Sequence, residues 1–345
     1  MKWKSIIGSI FLITMIVMAT AAIGTAVEVD RTVTDMAGTD VTLPQQVDRV
    51  ITVGSVAVIN AIIITLGKQD TIVSGIPPFF SSGRFIYLRQ LAPNTVNQTR
   101  VEEASGQGVN VETATTLNSD VVFTFDKKQA ETLRSKGLNM FYLSWWNNAP
   151  DDMKNLMTKL GEIYGIPERA EAYNSYLDEK VNTINSRVLD VPEEEKPKVL
   201  VCNFNSLKSY ESADWWVQKA GGINVAHDDF ISKDLLFDLE KLASWNPDYI
   251  FVYDPSNKDA IFNDTRLEFI TAVQNKNVFV IPSGLGPWLA TSEQPLALMW
   301  AAKKIYPDKF EDIDIPSEMK YFYRTFCNYE ISEAEISETL AGGIN

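Results

Sequence analysis

Val111-Glu112-Thr113-Ala114-Thr115-Thr116-Leu117-Asn118-Ser119-Asp120-Val121-Val122-Phe123-Thr124-Phe125-Asp126 has a counterpart in the second half of the chain. It is Leu239-Glu240-Lys241-Leu242-Ala243-Ser244-Trp245-Asn246-Pro247-Asp248-Tyr249-Ile250-Phe251-Val252-Tyr253-Asp254. Glu, Asn, Asp, Phe and the closing Asp fall at matching places. In each copy a polar stretch that opens with Glu reads as a helix. An Asn-Ser-Asp or Asn-Pro-Asp turn follows, then a short apolar run that ends in an aromatic residue and Asp. An apolar run of that length suits a strand covered on both faces, which is the habit of parallel sheets flanked by helices. Two related α/β lobes are the simplest reading; two ordinary helix-strand units alike by chance are the alternative.

The N-terminal residues set the compartment. Lys2 and Lys4 precede an apolar stretch from Ile6 to Ile23, with small residues at Ala19-Thr20-Ala21 and Gly24-Thr25-Ala26. Residues 1–26 are therefore expected to be a secretory signal peptide. The stretch is also long enough to remain as an uncleaved N-terminal anchor. Either way the folded part is expected outside the cytoplasm, in a periplasm or at a cell surface. No Cys follows the stretch, so a lipid anchor there is not expected, and no second run reaches membrane length.

Roughly 320 remaining residues exceed what one core usually holds, in keeping with two lobes. The divisions expected are a first lobe over 27–150, linking helices over 151–190, and a second lobe with C-terminal helices over 191–345. The net charge of −14 argues against nucleic acid as a partner. Cys202 and Cys327 are too few for a disulfide framework, and no sequence rule says whether they pair.

Along the first lobe, Asp30 to Leu43 alternates around Ala37-Gly38 and reads as a hairpin. Strands are expected over Val47–Val53 and Thr71–Ile76, with an apolar helix over Val56–Leu66 between them. Pro77-Pro78-Phe79-Phe80 cannot continue a sheet and reads as a loop. A helix is expected over Lys128–Lys136 and a strand over Met140–Leu143, ending at Trp145-Trp146. Helical spacing then runs from Asp151 to Val188, divided by Gly165 and Pro167. The part after Pro167 is about 30 Å long at 1.5 Å per residue, enough to cross from one lobe to the other. Lys198 to Cys202 opens the second sheet, and Val278–Ile281 adds a strand. Residues 293–345 read as helices.

In order and spacing these segments resemble the substrate-binding proteins of ABC importers that take up iron-siderophores, cobalamin and haem. The features that carry the resemblance are Val33-Thr34-Asp35-Met36-Ala37-Gly38, Val41-Thr42-Leu43-Pro44, Val47-Asp48-Arg49-Val50, Asn110-Val111-Glu112, Ala220-Gly221-Gly222-Ile223-Asn224-Val225-Ala226 and Asn246-Pro247-Asp248. The resemblance implies two lobes joined by one rigid helix, the class III architecture. It also implies a monomer that works with a membrane permease and its ATPase. In this family a glutamate on each lobe docks into arginine pockets of the permease, and Glu112 and Glu240 hold those positions. Read from the residues alone, each is a carboxylate near a helix start, where it favours the positive end of the helix dipole.

A ligand is expected between the lobes, over the carboxyl ends of the strands. The loops predicted to reach that edge carry Phe79, Phe80, Phe125, Trp145, Tyr210, Trp215, Tyr253 and Trp288. Broad rings bury area at small entropic cost and suit a large chelate, although several of these rings could equally belong to the core. Related binders carry aromatics at the positions of Phe125 and Trp288. Arg84 and Lys208 are cationic candidates for an anionic chelate. His227 is the only histidine, and no carboxylate or Cys cluster has ligand spacing, so a resident metal site or intrinsic cofactor is not expected. Tyr210, Tyr253 or His227 could complete the coordination of a chelate, as Tyr or His does in some relatives.

The expected function is capture of a metal chelate, an iron(III)-siderophore first and a corrinoid second, with haem and nickel-chelate behind. An exported enzyme on the same frame, such as a chelatase, is the alternative of a different class. The single histidine and the lack of a Gly-x-Ser-x-Gly elbow argue against a histidine-based hydrolase.

Overall fold

The computed structural model describes residues 30–77, 80, 85–102, 108–145 and 149–342. The N-terminal apolar segment, Phe79, Arg84 and Trp146 lie outside the described residues. No described helix is long and apolar enough to cross a membrane.

The first lobe begins with an antiparallel hairpin of β1 (Arg31–Thr34) and β2 (Asp40–Leu43). Asp35 builds its turn: Oδ1 accepts from the backbone N–H groups of Ala37 and Thr39, and Gly38 sits at φ 87°, where a side chain would be strained. β3 (Val50–Thr52), β4 (Val121–Thr124) and β5 (Met140–Tyr142) form a parallel sheet in that order.

In the second lobe the strands are β6 (Lys198–Asn203), β7 (Lys208–Tyr210), β8 (Ile223–Asn224), β9 (Asp234–Leu236), β10 (Tyr249–Val252) and β11 (Val278–Val280). Their order is β11-β10-β6-β7-β9, with β8 also on β6. β11, β10, β6 and β8 run parallel, and β7 and β9 add an antiparallel flank.

The repeat holds at the level of atoms. Asn118 and Asn246 end their helices in the left-handed region, at φ 45° and 41°. Two residues on, Asp120 accepts from the backbone N–H groups of Asp48 and Arg49, and Asp248 accepts from that of Lys198. Each aspartate thus pins the start of its strand to the approach to the neighbouring one. The closing aspartates, Asp126 and Asp254, cap the next helices through Gln129 N–H and Asn257 N–H. Along β4, Val121 and Phe123 join one core while Val122 joins another; along β6, Val199 and Val201 divide from Leu200 and Cys202 in the same way. These strands are therefore buried on both faces, which is why they read as unbroken apolar runs.

The strand expected over Thr71–Ile76 reduces to a single bridge between Val50 and Ile72. After Val73 the chain leaves the sheet: Gly75 N–H bonds to Thr99 C=O and Ile76 N–H to Thr95 C=O. A Cβ on Gly75 would meet the Gln98 carbonyl at 2.3 Å, so only glycine allows this crossing.

The linking segment is two helices, Pro150–Tyr164 and Pro167–Val188, divided by Gly165 at φ 65°. The 22-residue second helix joins the largest core, which runs from Val50 and Ile62 of the first lobe through Tyr173 and Ile184 to Leu298 and Phe322. The C-terminal helices Ile315–Cys327 and Glu333–Leu340 reach the first lobe: Tyr87 packs on Tyr323 at 5.5 Å and donates to Glu335 C=O. Cys202 and Cys327 are both buried and free, and burial alone pushes the Cys202 thiol far above its usual range.

Candidate functional site

A cavity of about 510 Å³ lies between the lobes. From the first lobe it takes Ser55, just after β3, and Trp145, just after β5. From the second it takes Tyr210, Glu211 and Ser212 at the end of β7, Lys233 and Asp234 at the start of β9, Tyr253 just after β10, and Ala290. The parallel strands β3, β5 and β10 meet it with their carboxyl ends, the placement expected for open α/β sheets.

Three predicted aromatics, Trp145, Tyr210 and Tyr253, come together here. Tyr210 and Tyr253 stand edge to face with centroids 5.4 Å apart. Phe125 is not in the wall but backs Trp145 at 5.2 Å, so it fixes the indole from behind. The indole N–H of Trp145 is buried with no acceptor among the described residues. Burial pushes the Tyr210 phenol above its usual value, with Lys208 opposing, so at neutral pH it is a hydrogen-bond donor rather than a phenolate.

Other predicted residues lie elsewhere. Phe80 pairs edge to face with Phe85 at 5.1 Å, outside the cavity wall. Trp215 is half-buried against the main core. Trp288 is 0% exposed, one of the largest fully buried side chains, so in this structure it offers no surface to a ligand. Its aromatic character was legible, but the loop of Ser283 to Thr291 turns the ring inward. Lys208 is committed to Asp234 at 2.5 Å and lies over the Tyr210 ring. His227 does not line the cavity; its Nδ1 meets Asp214 at 2.7 Å, which raises its pKa and leaves the ring edge in solvent.

Sequence reasoning missed Ser55, Glu211, Ser212, Lys233, Asp234 and Ala290. Glu211 and Ser212 follow Tyr210 directly and could have been found with it. Lys233 and Asp234 could not, because the short antiparallel β9 has no apolar alternation to betray it.

Behind Ala290 the loop is held by a buried carboxylate. Glu293 accepts from the Tyr323 hydroxyl, from Thr291 Oγ1 at 2.9 Å and from Leu285 N–H at 3.0 Å. Burial outweighs these donors and pushes its pKa up to about 7.

Glu112 and Glu240 occupy equivalent places in the first turns of their helices. Both are exposed, and the caps are supplied by others: Asn110 accepts from Thr113 N–H and Asp238 from Lys241 N–H. Neither glutamate is needed to satisfy its helix end. Among the described residues no three His, Cys, Asp or Glu side chains gather as a metal site would require.

Comparison with known proteins bears on this arrangement. The molybdate-binding protein MolA of Haemophilus influenzae is 25% identical over 325 residues, covering 86% of this chain and 91% of its own. The solved structure of MolA with molybdate superposes with a TM-score of 0.77, covering 88% of this chain and 99% of MolA. A periplasmic solute-binding protein of Veillonella parvula matches at TM-score 0.78 and 27% identity, over 90% of this chain and 97% of its own. Helicobacter pylori CeuE, solved with nickel and histidine, shares the fold at TM-score 0.72 and 19% identity, over 90% and 99% of the two chains. Residues 89–285 match the family described as periplasmic binding protein, and with the two-lobed fold they make this chain a member of that family, a class III substrate-binding protein of an ABC importer.

Proposed function

We propose that the cleft captures a metal chelate, an iron(III)-siderophore in the first instance, and that the chain delivers it to the importer's permease and ATPase. The observation that carries this is the meeting of Trp145, Tyr210 and Tyr253 across the two lobes in one cavity of about 510 Å³. That volume falls within the roughly 300–1,000 Å³ of pockets for drug-sized ligands. Large rings from both lobes offer apolar surface to a bulky chelate whose charge is spread. The exposed Glu112 and Glu240, one on each lobe and neither serving as its helix cap, are the proposed contacts with the permease. We read the chain as a carrier rather than an enzyme on its likeness to relatives named as binding proteins.

A second reading takes molybdate as cargo and rests on the likeness to MolA. Against it, the wall sets Glu211 and Asp234 beside a single cation, Lys233, a mixed lining rather than the positive cradle a compact oxyanion calls for. A titration of the purified protein with ferric siderophores, cobalamin, haem, nickel-histidine and molybdate, followed by tryptophan fluorescence, separates the two. Saturable quenching by one chelate supports the proposal. Saturation by molybdate alone replaces it with the second reading, and silence throughout overturns both.

A further inference from the structure

A second cavity, at about 570 Å³ larger than the cleft, opens at the edge of the second lobe's sheet and shares no residue with the ligand cleft. It lies between the edge strand β11, the helices Pro255–Asn263 and Gln294–Ile305, and the start of the helix Ile315–Cys327. Its apolar wall includes Phe279, Ile315, Leu340 and Trp300, the last only 5% exposed. Three lysines, Lys258, Lys303 and Lys304, share that wall.

Composition does not account for the cluster, since 45 acidic residues face 31 basic ones in this chain. Lys303 is tied to the backbone carbonyls of Glu311 at 3.2 Å and Ile313 at 2.5 Å. The ammonium of Lys304 lies over the Phe279 ring, 4.8 Å from its centroid. Among the described residues no carboxylate forms an ion pair with Lys258 or Lys304. The one acidic residue in the wall, Asp314, accepts from Ser317 Oγ at 2.5 Å. Loss of solvent first, and the charges of Lys258 and Lys303 next, hold the Lys304 ammonium below the usual lysine range. Like charges gathered over an apolar floor carry an electrostatic cost that an anion would relieve.

We propose that this cavity binds a small organic carboxylate with an apolar body. The body lies against the half-buried Phe279 and Leu340, and the carboxylate sits between Lys258 and Lys304. The site is separate from the cargo cleft and holds whichever cargo the cleft takes.

Calorimetric titration with naphthalene-1-carboxylate at low salt tests it, with the neutral naphthalene-1-methanol as control. The expected result is saturable one-to-one binding that weakens by about tenfold or more, the worth of a charge-assisted contact, for the neutral analogue and for the Lys258→Gln, Lys304→Gln double variant. Tyr210→Ala should leave it unchanged. The proposal is overturned if no saturation is seen, if the alcohol or the double variant binds as well, or if Tyr210→Ala abolishes binding, which would place the anion in the cleft.

Discussion

The hydroxyls of Thr65 and Ser292 meet at 2.6 Å in the buried seam between the lobes. Thr65 ends the helix Val56–Thr65 of the first lobe, and Ser292 precedes the helix Gln294–Ile305 of the second. The spanning helix joins the same point, because Tyr173 donates its hydroxyl to Ser292 C=O at 2.7 Å. Arg169 adds bonds to Thr65 C=O at 3.3 Å and Phe326 C=O at 2.6 Å. The lobes are thus tied by polar contacts within a shared apolar core, as well as by the chain that links them.

Breaking that tie should cost stability. Thr65→Val leaves the Ser292 hydroxyl short of a buried partner and is expected to destabilise by about 1–3 kcal/mol. Adding Ser292→Ala should cost less than the sum of the two single changes, since the pair is then removed together. Urea unfolding of the three variants measures both quantities; strict additivity would mean that the contact contributes nothing as a pair.

Glu293 makes stability depend on pH in a direction opposite to that of a salt-bridged carboxylate. Its folded-state pKa is raised from 4.5 to about 7, so the folded protein holds a proton that the unfolded chain has released. The stabilisation is fully present below pH 4.5 and is lost as pH rises to about 7, by on the order of 3 kcal/mol for a shift of that size. Glu293→Gln cannot ionise and should flatten this part of the profile. Unfolding free energies of both proteins at pH 5 and pH 8 provide the check, and an equal fall in the two would show that other groups cause it.

Glu112 and Glu240, the proposed permease contacts, should separate uptake from binding. With Asn110 and Asp238 as the caps, Glu112→Ala and Glu240→Ala remove only a helix-dipole interaction worth about 0.3–1 kcal/mol each. Ligand affinity should be unchanged in the double variant, while transport through the permease is lost. A drop in affinity measured by calorimetry would show instead that these residues shape the cleft.

Tryptophans on either side of the wall should respond differently. Trp145→Ala removes a cleft face and should weaken ligand binding by about 1–3 kcal/mol, as truncating an aromatic anchor commonly does. Trp288→Ala opens a hole in the main core and should lower folding stability by about 3–5 kcal/mol. Parallel binding and unfolding measurements distinguish the two roles, and a stable Trp288→Ala protein with weakened binding would return Trp288 to the site.

Much of the fold was legible because its signals are local. Asn118-Ser119-Asp120 and Asn246-Pro247-Asp248 announce the turns between helix and strand, and Gly165 with Pro167 marks a helix break, each within a few residues. Legibility failed where the partner is remote. Nothing near Gly75 reveals that Gln98 will pass 2.3 Å from its missing side chain and pull the segment out of the sheet. The site shows the same division. Trp145, Tyr210 and Tyr253 reach the cavity from the ends of strands that the sequence marks, whereas Asp234 enters only through its pairing opposite Tyr210. The burial of Trp288 was not legible, because an aromatic on a loop near the cleft reads alike whether its ring points out or in.

The central claim is that the aromatic cleft between the lobes holds a chelate, and calorimetry of a ferric siderophore against the native protein and the Trp145→Ala, Tyr210→Ala double variant tests it most directly. The account predicts one-to-one submicromolar binding to the native protein and a loss of roughly a hundredfold or more in the variant, the sum of two anchors at the lower end of their usual range. Equal affinity in both proteins would place the ligand outside this cleft and contradict the account.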